Sequence, residues 1–195
     1  TTFYVAPVCT PPVGQSISGV TMFNTVKSQM WYNDGLWWGA FSDNLSGVYF
    51  YKQNGTSYTQ GALLDSNYLG RPDMFWNGTN LFALVYEFNT QARLYKYSYN
   101  STTKTFTQLA GFPVTLPLTG IGSGITAAQI GSITLAQDST GKLWAAYPGS
   151  FVGGDGNYHV IWSTSADHKT WNTTGYTFDV GGASVLTQEV APIVA

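Results

Sequence analysis

Charge is scarce in this sequence. Only 9 % of its 195 residues are Asp, Glu, Lys or Arg, against roughly 25 % in an ordinary soluble domain. The eight Lys and Arg are scattered and the net charge is −2, so no basic patch exists to hold a phosphate backbone, and a nucleic-acid partner is excluded. Cysteine is nearly absent. Cys9 stands alone, which excludes an intrachain disulfide. It is expected as a small buried apolar residue, an intermolecular bridge being the alternative. The two histidines, His159 and His168, have no Cys or His partner at ligand spacing, so neither a metal nor another cofactor is expected. Gly153-Gly154-Asp155-Gly156-Asn157 supplies too few oxygens for a Ca²⁺ loop and reads as a hairpin loop. No apolar run approaches the ~18 residues of a membrane span.

What the chain has instead is 44 % apolar and 16 % aromatic residues. That is enough to bury a core, and it rules out a disordered chain. The surface must then be polar but uncharged, built from Thr, Ser, Asn, Gln and Gly. Asn-x-Ser/Thr acceptors occur at Asn44, Asn54, Asn77, Asn100 and Asn172, mostly where turns are expected. They favour a secreted, glycosylated protein, extracellular or on the cell surface. Thr1 fits a mature N-terminus left by signal cleavage, and equally a trimmed chain.

Three segments of the chain align with one another. They are Gln29-Met30-Trp31-Tyr32-Asn33-Asp34-Gly35-Leu36-Trp37-Trp38-Gly39-Ala40-Phe41, Asp73 to Tyr86, and Ile133 to Tyr147. Each carries an apolar strand, a turn with Asn or Asp and Gly, then Leu, an aromatic and small residues. Gly and Asn tolerate the positive φ that tight hairpin turns demand. Third strands follow at Val48–Lys52, Arg93–Tyr97 and His159–Ser163. Closing motifs follow at Thr56–Thr59, Lys104–Thr107 and Lys169–Asn172. The first two copies are offset by about 44 to 48 residues, near the length of a propeller blade. Pro113 to Ile130 and Pro148 to Asn157 read as inserted loops. No segment shows a 3.6-residue apolar period, and turn signals recur about every 8–12 residues. The fold is therefore predicted as all-β, a β-propeller-like array of about three to four four-stranded antiparallel blades. A β-sandwich is the alternative. Residues 28–66, 70–116 and 131–180 are the expected repeats, a fourth starts at Glu189, and residues 1–27 are a latch or donor segment.

Ser165-Ala166-Asp167-His168-Lys169-Thr170-Trp171 resembles the Asp-box of sialidase-like β-propellers. The resemblance covers about residues 28–180 as a fold. It implies that Asp167 caps its own turn and that Trp171 packs into the blade, both structural roles. Sialidases clamp a carboxylate with three arginines. This chain has only Arg71 and Arg93, so one subunit cannot build that clamp. Other propeller glycosidases place acids on their inner strands, which implies Asp73 and Glu189 as catalytic candidates here. Against that reading, Asp73 follows Arg71-Pro72 and fits a strand cap or a partner of Arg71.

Seven tryptophans raise the question of sugar stacking. Trp37, Phe82 and Trp144 share a repeat position, as do Tyr58, Phe106 and Trp171, which marks them as core. Trp38 has Ala83 and Ala145 as counterparts and departs from the pattern. Trp38, with Arg71, is the ligand-contacting candidate. Three blades fall short of the usual four or more. Residues 1–27 are expected to complete a blade in the same chain or to pair with a neighbouring copy by self-association; otherwise the chain is part of a longer propeller. The expected function is a non-catalytic extracellular module for glycan binding, adhesion or assembly. The alternative is a glycoside-active enzyme, hydrolase or lyase, or a fragment of one.

Overall fold

The computed structural model describes residues 20, 28–87, 91–118, 133–150, 158–172 and 177–179. They form thirteen strands and no helix. The first sheet is an antiparallel meander of β1 (Met30–Asn33), β2 (Leu36–Ser42), β3 (Val48–Asn54) and β4 (Ser57–Asp65). The second runs β5 (Gly70–Trp76), β6 (Asn80–Glu87), β7 (Gln91–Asn100) and β8 (Thr105–Gln108), with β9 (Val114–Leu116) also pairing β7. The third runs β10 (Thr134–Gln137), β11 (Leu143–Ser150), β12 (Tyr158–Ser165) and β13 (Thr177–Asp179). Glu189 and residues 1–19, 21–27 and 180–195 lie outside the described residues.

The hairpins form where the turn residues permit them. Asp34 and Gly35, at φ 53° and 76°, close β1 on β2 with only two residues between the pair Asn33↔Leu36. That left-handed turn matches the twist of the flanking strands. Side chains of Asn and Asp cap most other turns by accepting main-chain N–H bonds. Asp43 takes those of Leu45, Ser46 and Gly47; Asn77 takes Thr79 and Asn80; Asn100 takes Thr102 and Thr103; Asp138 takes Thr140 and Lys142. Much of the small acid inventory is therefore spent on turns.

The sheets stack face to face through two apolar clusters. One joins Trp31, Trp38, Ala40, Val48, Phe50 and Leu64 of the first sheet to Met74, Leu81, Ala83, Val85, Tyr95 and Tyr97 of the second. The other joins Phe82, Leu84, Tyr86, Ala92, Leu94 and Leu116 to Leu135, Leu143, Ala145, Tyr147 and Trp171 of the third. The central strand β6 explains itself: Leu81 to Glu87 are all buried, because alternate side chains enter opposite clusters. A strand covered on both faces carries an unbroken apolar run.

Two predicted loops contain strand. Val114–Leu116 continues the outer edge of the second sheet, pairing Leu94, Arg93 and Ala92. Pro148-Gly149-Ser150 extends β11 against Val160, His159 and Tyr158. Pro148 is tolerated there because the β10 pairing ends at Thr134↔Ala146, so its missing N–H costs no described bond on that side. The third closing motif also differs from the other two. Lys169–Asn172 forms only an isolated bridge, Thr164↔Asn172, and the fourth strand of that sheet comes later, at Thr177–Asp179.

Gly47 shows how tightly the first sheet closes. A Cβ there would lie 2.3 Å from the Asp65 carbonyl oxygen and 2.7 Å from Leu63 Cδ1. The obstacle is backbone, so the turn cannot yield by a rotamer change. Gly47→Ala should lower stability by about 1–3 kcal/mol. Urea unfolding checks this; an unchanged midpoint would mean that β4 can slide away freely.

Candidate functional site

Trp38 sits on β2 with its ring turned toward the second sheet. It stacks on Trp31 at 6.4 Å between centroids and meets Phe106 edge-on at 5.0 Å. Its Nε1–H donates to the Asn33 carbonyl at 3.3 Å. Only 4 % of the residue is exposed, so it is first a packing residue. The alignment with Ala83 and Ala145 does not hold as an equivalence of faces. Trp38 faces the sheet that follows its own, whereas Ala83 and Ala145 face the sheet that precedes theirs. Side chains alternate with period two, so one residue of offset inverts the face. Trp38 and Ala83 consequently enter the same cluster from opposite sides, large against small.

Trp38 also helps to line a groove of about 220 Å³ between the first two sheets. Phe50 and Phe106 complete its aromatic wall. Thr59, Gln60, Gly61 and Ala62 of β4 form one rim, and Lys104 and Thr105 the other. Lys52 reaches over the Trp38 ring, its Nζ 5.9 Å from the centroid, a cation–π contact. The β3–β4 register breaks beside this groove: Tyr49 pairs Leu63, but Tyr51 pairs Gln60. Gly61 and Ala62 therefore bulge opposite Phe50. Such an extra residue bends the outer strand and increases its twist, which leaves two small residues at the groove wall.

The rim is braced by contacts between turns. Asp34 of the β1–β2 turn accepts from Tyr99 Oη at 2.9 Å and from Lys104 Nζ. Lys104, then Tyr99, hold the Asp34 carboxyl below its ordinary range. Burial, then Asp34, push the Tyr99 hydroxyl up to about 12. Lys104 is thus tied, and Lys52 is the cation that leans over the aromatic wall.

Arg71 lies on β5 opposite Tyr86, outside this lining. The structure does not bring Arg71 and Trp38 into one site. Asp73 is buried, 5 % exposed. Its Oδ1 accepts the Ser28 N–H at 2.8 Å and its Oδ2 the Leu135 N–H at 2.7 Å. Glu189 lies outside the described residues, so no geometry relates it to Asp73. Among the described residues, no three His, Cys, Asp or Glu side chains gather as metal ligands, and no helix is long and apolar enough to cross a membrane.

Asp167 accepts from the Lys169 and Thr170 N–H groups at 2.8 and 2.6 Å, and from Thr170 Oγ1 at 2.8 Å. These bonds, that of the Thr170 N–H first, pull its carboxyl well below the usual range. Trp171 is buried in the cluster between the second and third sheets. Of the sequon asparagines, Asn54, Asn77, Asn100 and Asn172 are exposed at the end that carries the β1–β2 and β3–β4 turns, and Asn44 is exposed at the opposite end. Asn77 Nδ2 already donates to Gln137 Oε1 of the third sheet at 2.9 Å.

Sequence reasoning singled out Trp38 but not Lys52, Gln60 or Phe106. Phe106 had the repeat signature of core, and it is half-buried with one side on the groove. The one local signal was Gly61-Ala62 in an otherwise bulky outer strand. No protein-family model matches the chain, and no curated protein matches it either.

Proposed function

We propose that the chain is a non-catalytic, extracellular carbohydrate-binding module that takes a sugar ring in the groove walled by Trp38, Phe50 and Phe106. The observation that carries this reading is the pairing of an aromatic wall with a polar rim. The apolar face of a pyranose suits the rings, and its hydroxyls suit Thr59, Gln60, Thr105 and Lys52. The groove is smaller than the roughly 300–1,000 Å³ of drug-sized ligand sites. It fits one ring of a chain rather than a long segment. Exposed sequons on both ends support an extracellular setting. The engagement of Asp73 with two main-chain N–H groups favours binding over glycoside chemistry.

The test is calorimetric titration with a panel of neutral oligosaccharides, alongside the variants Gln60→Ala and Ala62→Leu. Both positions are exposed, so the fold survives. Ala62→Leu should fill the groove and weaken binding at least about tenfold, the scale of one lost hydrogen-bonded or packed contact. Binding unaffected by either variant, or turnover of any glycan by the wild type, would refute the proposal.

A further inference from the structure

A second constellation lies where the second and third sheets meet, away from the aromatic groove. Lys96 projects from β7 beside the Phe82 ring, its Nζ 5.2 Å from the centroid. His168 occupies the Asp167-capped turn in the left-handed region, at φ 63°, and sets its ring edge-on to Phe82 at 5.1 Å. His168 Nε2 lies 2.9 Å from the Gly141 carbonyl oxygen, which can only accept, so Nε2 carries the proton. In the neutral ring Nδ1 is then an acceptor, and Lys96 Nζ donates to it at 3.1 Å. Lys169 is the next residue in that turn. Its Nζ crosses the Phe112 ring at 5.8 Å and lies beside Gly111, where a Cβ would come within 2.9 Å of it.

One turn thus carries both the histidine that holds the Lys96 amine and, at the next position, Lys169, and neither amine has a carboxylate partner among the described residues. The ion pairs of the described residues are Arg93 with Asp65 and Glu87, and Lys104 with Asp34; neither Lys96 nor Lys169 takes part. The nearest acid in sequence, Asp167, spends Oδ1 on Ser165, Lys169 and Thr170 and Oδ2 on the Thr170 hydroxyl. Burial, and then the charge of Lys169, push the Lys96 amine down. Like charges repel, and an anion bound between the two amines would relieve that repulsion. His168 fixes the Lys96 amine, and Gly111 leaves room beside the Lys169 amine.

We propose that Lys96 and Lys169, with His168 positioning Lys96, form a binding site for an oxyanion: the sulfate, phosphate or carboxylate group of a ligand. Two ammonium groups offer several charge-assisted donors to a group with three or four acceptor oxygens. The site is independent of the aromatic groove, and either can fail without the other.

The test is thermal unfolding and titration of the whole chain with sodium sulfate against sodium chloride at matched ionic strength, which equalises screening. Lys169→Ala and Lys96→Met are the site variants, and Lys142→Ala, whose amine lies over Trp144 and belongs to neither site, is the control for generic salt stabilisation. Lys169 is exposed and, among the described residues, its one ring contact is Phe112, so Lys169→Ala folds even if Lys96→Met does not. Sulfate should raise the melting temperature of the wild type and of Lys142→Ala more than that of Lys169→Ala. The apparent affinity should fall about tenfold with Lys169→Ala, the scale of one charge-assisted bond. Equal responses from the wild type and Lys169→Ala would overturn the site. Sulfated and uronate oligosaccharides, set against inorganic sulfate and phosphate, identify the source. An oligosaccharide advantage lost in Lys169→Ala points to an acidic glycan. Equal affinity for the bare ion points to a free-anion site.

Discussion

Arg93→Met should cost about 3–5 kcal/mol of folding free energy, the scale for stripping one partner from a buried charge network. Arg93 Nη2 donates to both oxygens of Asp65, at 2.9 and 3.0 Å, and the guanidinium also pairs with Glu87. The Asp65 side chain is fully buried and that of Glu87 is 7 % exposed. Asp65 belongs to the last strand of the first sheet, whereas Glu87 and Arg93 belong to the second. The guanidinium therefore joins two sheets and keeps two carboxylates from facing each other alone. Tyr95 Oη adds a 2.7 Å bond to Asp65 Oδ2, and burial with that bond pushes the Tyr95 hydroxyl far up. Asn67 Nδ2 donates to Glu87 at 3.1 Å. Burial pulls the Arg93 guanidinium down, but Asp65, Tyr95 and Glu87 more than offset it, and the net direction is up.

Against a total stability of roughly 5–15 kcal/mol, that loss would leave Arg93→Met close to unfolding. Adding Asp65→Asn should recover part of it, because one buried charge then disappears and the Tyr95 hydroxyl keeps an acceptor. Urea unfolding of the wild type, both single variants and the double variant measures the coupling. A loss below about 1 kcal/mol would place Arg93 among solvated surface pairs instead.

This network also marks where the sequence stops being informative. The hairpins were legible because their causes are local. Asp34-Gly35 supplies two adjacent positive-φ residues, and Asp167 caps a turn made of its own neighbours. The all-β class was legible because alternation and turn spacing are periodic. Asp65 and Arg93 are 28 residues apart, and Lys96 and His168 are 72 apart. Nothing in either local pattern announces the partner. The same limit explains the two predicted loops that contain strand. Val114-Thr115-Leu116 is too short to show a period, and Pro148-Gly149 carries turn residues inside a strand. Trp38 stood out because it broke a repeat, yet the repeat could not show that its face was inverted. A one-residue offset leaves composition untouched and moves every side chain to the other side.

Asp73→Ala should be the second large effect, about 3–5 kcal/mol, because it deprives two main-chain donors of one charged acceptor. Ser28 leads into β1, Asp73 lies on β5, and Leu135 on β10. One carboxylate thus joins the first strands of all three sheets, at 2.8 and 2.7 Å. The Met74 N–H reinforces the first of these links by donating to the Ser28 carbonyl at 2.7 Å. Asp73→Asn separates two roles that Asp73→Ala confounds. Its amide oxygen can accept one of the two N–H groups, but its NH₂ must face the other donor. A structural clamp therefore predicts a graded series, with Asp most stable, Asn intermediate and Ala least. A catalytic acid predicts the reverse emphasis: Asp73→Asn would abolish turnover and leave the melting temperature unchanged. Amide exchange gives the local readout, since Ser28 and Leu135 should lose protection in Asp73→Ala before the outer strands do. An unchanged melting temperature in Asp73→Asn would return Asp73 to the catalytic candidates. The graded result would mean that this inner-strand acid is committed to holding the sheets in register.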